Sequence, residues 1–362
     1  MASDIEAGCG KRVPGVDAAR GLAIAGMIWV HFGLVMHTDA STGSVLAWAY
    51  EAIAGRPAAL FMLLAGVGIG LRLDAAADHP DALQTARSIL ARRGLFFLVL
   101  GFAFLAIWDG DILRVYGLSF LIAAAIAMWR PSAWLVASGV AMVIFVMLMG
   151  LLDYEAHWHW DTLEYRDLWT AAGLLRNTLF DGFRPLFPWI ALLLFGMWLG
   201  RRAIRDATAR RLALIVAVVV AVLVEVSSTV AVSSMIASGI EVELARAIVG
   251  QGSMPPMPPF LIASGAEATV VLLLLIKLEG TPIRSLLTPV RRFGQMAFTW
   301  YIGHIVLGVG GLVALGVTAD YTLGAALIAT LAFCAIASAA SMLWLSRFRY
   351  GPLESLLRRM AG

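Results

Sequence analysis

Charge is what this sequence has least of. Only 14% of its 362 residues are Asp, Glu, Lys or Arg, against roughly 25% in a soluble globular domain, so water is not its main solvent. Cysteine is scarce too. Cys9 and Cys334 are the only two and stand far apart, which excludes a disulfide framework and a grouped-thiolate metal site and leaves two separate thiols. No tandem repeat, low-complexity tract or soluble domain interrupts the chain. A cleavable signal is also missing: the apolar run after Arg20 is about as long as a full span, and it reads as an uncleaved first helix. The net charge of +3 and pI near 9.1 do not signal nucleic acid. The arginines sit in short clusters between apolar runs and form no basic face; in a membrane protein such clusters set topology.

What the chain has in abundance is apolar residues, 60% of the total, with a mean hydropathy of +0.85. A helix needs about 20 apolar residues to cross ~30 Å of hydrocarbon. On that basis spans are expected near 16–36, 50–72, 92–108, 112–129, 133–152, 186–200, 212–235, 259–277, 294–316 and 322–345. The expectation is an all-α polytopic membrane protein of about ten transmembrane helices. It forms a single integral-membrane domain over 1–362 with an outer loop at 153–185. With both ends inside, the cytoplasmic segments hold 21 of the 27 basic residues, and every cytoplasmic loop obeys the positive-inside bias.

The outer loop is rich in aromatic, His and acidic residues; Trp and Tyr favour the headgroup level, so it suits an interfacial helix or a lid. His157, His159 and Asp161 have the residue types of metal ligands. Their i, i+2 spacing fits a strand better than a helix, and no further ligands surround them, so interfacial anchoring is the simpler reading and no metal is expected. The run Met254–Pro259 breaks the helical pattern before the eighth span and reads as a rigid outer turn.

Ionisable residues inside spans are costly and therefore informative. In the first span, eleven steps at 100° carry Arg20 to His31 about 20° past three full turns, so both lie on one face, ~16 Å apart along the axis. Arg20 sits at the cytoplasmic end, where it can snorkel or hold an anion; His31 offers a neutral base within the membrane, or a packing hydrogen bond. His304, in the ninth span, falls ~18 Å beyond Arg292, near the depth of His31. Glu225 and Glu267 also fall in the outer half of their spans. Two histidines and two carboxylates thus occupy one slab; their spacing does not say whether they face one cavity. Gly21, Gly26, Gly33, Gly66, Gly68 and Gly70 permit close helix approach.

The segment Asp17-Ala18-Ala19-Arg20-Gly21-Leu22-Ala23 followed by His31 resembles the opening helix of the transmembrane acyltransferase superfamily. That group includes heparan-alpha-glucosaminide N-acetyltransferase and bacterial O-acyltransferases that modify cell-surface sugars. The arginine, ten residues, then histidine spacing of the latter is matched by Arg20 and His31. Further along, Gly110-Asp111-Ile112-Leu113 with Tyr116, then Gly294-Gln295-Met296-Ala297-Phe298-Thr299-Trp300-Tyr301, then Gly351-Pro352-Leu353-Glu354 resemble the YeiB-like family of bacterial membrane proteins. YeiB-like proteins usually carry asparagine where His31 stands, and here the chain is closer to the O-acyltransferases. His37 does not match the spacing of the second histidine in the heparan enzyme, so no two-residue catalytic scheme carries over.

The resemblance implies an acyl-CoA co-substrate, acetyl-CoA by the family's chemistry, and a sugar or lipid acceptor. It also implies a place in the bacterial inner membrane, with the bilayer as a partner. Arg20, Arg92 and Arg291 would hold the CoA phosphates, His31 would serve as general base, and His304 would orient it or steady the oxyanion. Asp17, Glu225, Glu267, Asp111 and Tyr301 are the other buried polar candidates. Two other readings fit the same residues. One is a proton-coupled secondary transporter, or a lipid or small-molecule exporter, with the buried His and Glu as a proton relay. The other is a scaffold without catalysis, tolerant of alanine at those positions.

Overall fold

The structure, a computed structural model, describes residues 12–36, 44–319 and 321–362; Cys9, Lys11 and His37 lie outside them. The chain opens with α1 (Pro14–Met36), α2 (Val45–Ile53), α3 (Arg56–Ala75), α4 (Pro80–Phe104), α5 (Leu113–Ala125) and α6 (Pro131–Leu151). A small hairpin, β1 (Trp158–His159) with β2 (Glu164–Tyr165), leads to α7 (Ala171–Arg176), which continues as a π-turn over Asn177–Asp181. Then come α8 (Leu186–Arg202), α9 (Ala207–Ala237), α10 (Val242–Val249), α11 (Pro258–Leu278) and α12 (Thr288–Gln295). The chain closes with α13 (Ala297–Gly303), a π-turn (His304–Val309), α14 (Gly310–Ala314), α15 (Leu323–Arg347) and α16 (Pro352–Ala361).

Local chemistry sets these starts. Ser44, Asp206 and Thr322 each accept a hydrogen bond from a backbone N–H in the first turn of α2, α9 and α15, the usual role of an N-cap oxygen. Pro80 and Pro131 open α4 and α6, where a missing N–H costs nothing.

The protein is an all-α polytopic membrane protein. Helical segments lie at all ten expected positions, but the second is divided between α2 and α3 and the ninth among α12, α13, a π-turn and α14. Among the described residues, seven helical runs are long and apolar enough to cross a bilayer, two of them (Val45–Ala75 and Ala297–Ala314) made of more than one element, or eight if the pair Ala171–Asp181 and Leu186–Arg202, bent by 46°, counts as one. The expected third span, 92–108, overlaps the second half of α4, which ends at Phe104, and Arg87, Arg92 and Arg93 lie toward the middle of that helix. The fourth, α5, has 13 residues, too short to cross alone. The outer segment 153–185 folds as the β1–β2 hairpin followed by α7 and its π-turn, and its alternating His157 and His159 flank a strand residue as their spacing suggested.

By contacts the described chain divides into two compact units. One comprises Met62–Thr269 with Met360–Gly362. Inside it α4 packs along α5, and α6 along α8. A Cβ on Gly66 or Gly70 would overlap the carbonyls of Leu193 or Met197, and one on Gly196 or Gly200 those of Leu63 or Val67. Two small-xxx-small stripes face each other, so the backbones touch. Phe145, Tyr154 and Phe180 form an aromatic cluster in the same unit.

The other unit comprises Arg12–Phe61 and Val270–Arg359. Here α1 packs against α12 and α15. A Cβ on Gly21 would overlap the Val290 carbonyl, and one on Gly294 the Asp17 carbonyl, so α1 and α12 also meet backbone to backbone. This unit holds the candidate site.

Candidate functional site

α1 and the broken ninth span carry the two histidines toward each other, although 273 positions separate them in sequence. His31 Nδ1 lies 2.9 Å from His304 Nε2. The rings stack, 5.1 Å between centroids and 18° between planes. His304 is fully buried, and its Nδ1 lies 3.0 Å from the Trp300 carbonyl oxygen. Tyr301, also buried, places its ring edge-on to His304 at 5.7 Å.

The directions of these bonds follow from donor chemistry. A carbonyl only accepts, so His304 Nδ1 carries the proton that faces Trp300. In the neutral ring Nε2 is then the acceptor, and the hydrogen in the His31–His304 bond belongs to His31 Nδ1. The lone pair of the neutral His31 ring therefore sits on Nε2. A peptide carbonyl thus sets the tautomer of two rings in series. His304 also begins the π-turn of its span. Such turns change the register of a helix by one residue and recur at functional sites.

At the other end of α1, Asp17 is 1% exposed. Its carboxylate accepts from Arg12 Nε at 2.6 Å and from Arg20 Nη1 at 2.9 Å. Arg20 keeps about a third of its side chain exposed (32%), and a guanidinium has donors beyond the one aimed at Asp17. The three side chains make a cationic cluster with a single buried counter-charge. Arg291, on α12, is held by Glu279 at 3.1 Å and by Thr288. Its charge is largely balanced within its own surroundings.

The other expected site residues lie in the Met62–Thr269 unit. Arg92 is exposed on α4 and donates to the Ser88 carbonyl. Asp111 is 1% exposed, and its Oδ2 accepts from the backbone N–H groups of Leu113 and Arg114; it caps α5. Glu225 and Glu267 are half-buried on α9 and α11. In the outer segment of this unit His157 stacks on Tyr165 and His159 accepts from Arg166. Among the described residues no group of three or more His, Cys, Asp or Glu side chains converges as metal ligands would.

Sequence reasoning did not single out the Trp300 carbonyl or the role of Glu354. The Glu354 carboxylate accepts from the backbone N–H groups of Phe298 and Thr299 at 2.8 and 3.0 Å and from the Thr299 hydroxyl at 2.6 Å. The only signal was that Gly294–Tyr301 and Gly351–Glu354 both stood out as motifs. In the structure they are one contact.

Comparison with known families agrees with the fold and with these motifs. Residues 12–229 match the family model described as heparan-alpha-glucosaminide N-acetyltransferase, catalytic. Residues 198–362 match the one described as protein of unknown function (DUF418), the YeiB-like group. No curated protein matches the chain. Since the first match covers more than half of the sequence and includes all of α1, the chain belongs to the heparan-alpha-glucosaminide N-acetyltransferase catalytic family, with a YeiB-like C-terminal half.

Proposed function

We propose that this protein is a membrane-embedded acyltransferase that moves an acyl group, acetyl by the family's chemistry, from cytoplasmic acyl-CoA to a hydroxyl or amine acceptor on an envelope sugar or lipid. The observation that carries the reading is the His31–His304–Trp300 chain of hydrogen bonds. It gives His31 a defined tautomer, with the basic lone pair of the neutral ring on Nε2.

His31 Nε2 takes the proton from the acceptor O–H or N–H as that atom attacks the thioester carbonyl. The new C–O or C–N bond forms, the C–S bond breaks, and the proton passes from His31 to the departing thiolate. His304 holds the His31 ring in register and, as an acceptor on Nε2, stabilises the imidazolium that forms in the transition state. Arg20, steadied by Asp17 and flanked by Arg12, holds the phosphates of CoA. The ~16 Å rise along α1 from Arg20 to His31 suits an extended pantetheine arm. Arg291 is tied to Glu279, and it supports this site through α12.

The test is transfer from radiolabelled acetyl-CoA to an envelope extract by purified protein in lipid nanodiscs. His31→Ala in folded protein is expected to lower the rate by roughly 10²-fold or more, the usual worth of a positioned base. Undiminished transfer would overturn the role given to His31. Substrate flux across proteoliposomes without CoA would instead favour the transporter reading.

A further inference from the structure

The span that carries His304 is broken twice. It stops at Met296, where the backbone leaves helical geometry (φ −109, ψ 30), and restarts as α13; at His304 it passes into the π-turn. A helix that restarts inside the protein has backbone N–H groups without intrahelical partners. Glu354 supplies two of the partners. Its Oε1 accepts from Phe298 N–H and Thr299 N–H, and its Oε2 accepts from Thr299 Oγ1–H. Thr299 Oγ1 in turn accepts from Leu353 N–H at 3.2 Å, in the first turn of α16. Each helix therefore caps the other, across more than fifty residues of sequence. Gly351 leaves room for this carboxylate, since a Cβ there would overlap Glu354 Oε2 and displace it.

We infer that Glu354 is a positioning residue for the histidine pair, an inference that rests on the acyltransfer reading above. Thr299 stands five residues before His304, ~7.5 Å along the axis, and Trp300, the next residue, provides the carbonyl that holds His304 Nδ1. Trp300 Nε1 also donates to Ser341 Oγ at 2.7 Å, which ties this turn to α15. Glu354 pins the rotation and depth of α13 at its start, Trp300 carries that register forward, and His304 presents Nε2 to His31 only in that register. An error in the first turn reaches the ring with no hinge between to absorb it.

The experiment uses the full chain in nanodiscs, with Glu354→Ala, Glu354→Gln and Thr299→Val. Two readouts run in parallel: acetyl-transfer kinetics over pH, and 15N NMR of histidine-labelled protein, with His31→Asn for assignment. Glu354→Ala is expected to lower kcat about tenfold or more at a near-constant KM for acetyl-CoA, as small misplacements of catalytic groups do. It is also expected to move the acid limb of the pH profile and to blur the single-tautomer 15N pattern of the pair. Glu354→Gln recovers most of each, because its amide oxygen accepts the same two backbone N–H groups. A Glu354→Ala protein that is less stable but keeps kcat, pH limb and 15N pattern would overturn the positioning role. Should that variant not fold, Thr299→Val, which removes only the hydroxyl bonds, decides by the same 15N pattern: blurred in favour, unchanged against. If the wild type transfers no acyl group, the acyltransfer reading fails, and the 15N comparison still decides whether Glu354 holds the pair.

Discussion

Arg20 shows how much a single side chain is asked to do here. It neutralises Asp17, a carboxylate buried to 1% exposure, and in the proposed reaction it also faces an anionic substrate. The two duties separate by substitution, because Asp17 keeps its bond to Arg12 when Arg20 is lost. Arg20→Ala is therefore expected to fold, and to weaken acetyl-CoA binding in a calorimetric titration by about tenfold or more, the scale of a lost charge-assisted bond. Arg20→Lys should recover little, since an ammonium does not reproduce the planar fork that reaches two acceptors at once. Equal affinity in Arg20→Ala and wild type would remove Arg20 from the binding site. Arg20 and His31 were legible in sequence because ionisable residues stand out in an apolar run. Their partners were not. Nothing in the spacing of His304 says that its Nε2 meets His31, because that contact depends on how α1 and α13 rotate about their own axes.

Elements differ in how openly they were written. The long apolar helices follow from composition alone. The break at Met296 was not legible, since no proline or glycine occupies that position and the restart of α13 is stabilised by Glu354, a residue that reads locally as an ordinary acid in the first turn of an amphipathic helix. The outer hairpin was half legible: its aromatic and His residues were visible, but its anchor was not. That anchor is Asp181, which is fully buried and accepts from Tyr165 Oη at 2.7 Å and Arg176 Nε at 2.5 Å, while the Asp181 carbonyl accepts from Trp158 Nε1 at 2.7 Å. Burial, and the hydrogen bond to Asp181, raise the Tyr165 pKa above the ordinary tyrosine value of 10.0. A group with a raised folded-state pKa contributes stability that is fully present below its unfolded pKa and is lost as pH rises beyond it. Holding the hairpin thus requires protonated Tyr165, and the segment should loosen only in alkali, above about pH 10. Amide exchange across 153–185 is expected to accelerate there in the wild type. In Tyr165→Phe it should already be faster at pH 7, with a smaller alkaline increment. An identical alkaline profile in both would remove Tyr165 from the anchor.

For the whole molecule, the distribution of arginine is the property that ties residue chemistry to function. If both ends lie inside, as expected from the sequence, 21 of 27 basic residues face the cytoplasm, and that frame places the Arg12–Asp17–Arg20 cluster on the side from which the proposed acyl-CoA would come. The frame depends on α4, α5 and the bent α7–α8 pair, which are the elements that length and composition alone do not establish as spans. If an odd number of them failed to cross, the sides of later loops would invert. Two exposed positions test this. Thr162 lies in the outer hairpin and Ser285 in the short turn between α11 and α12, with α7–α8, α9 and α11 between them. In a background with Cys9 and Cys334 replaced, Thr162→Cys should react with a membrane-impermeant maleimide on intact spheroplasts. Ser285→Cys should react only after permeabilisation. Labelling of both from outside, or of neither, would break the ten-span frame. Labelling of Ser285→Cys alone would reverse it and put Arg20 on the outer face, away from acyl-CoA. The proposed direction of transfer would then fail, even with the His31–His304 bond intact.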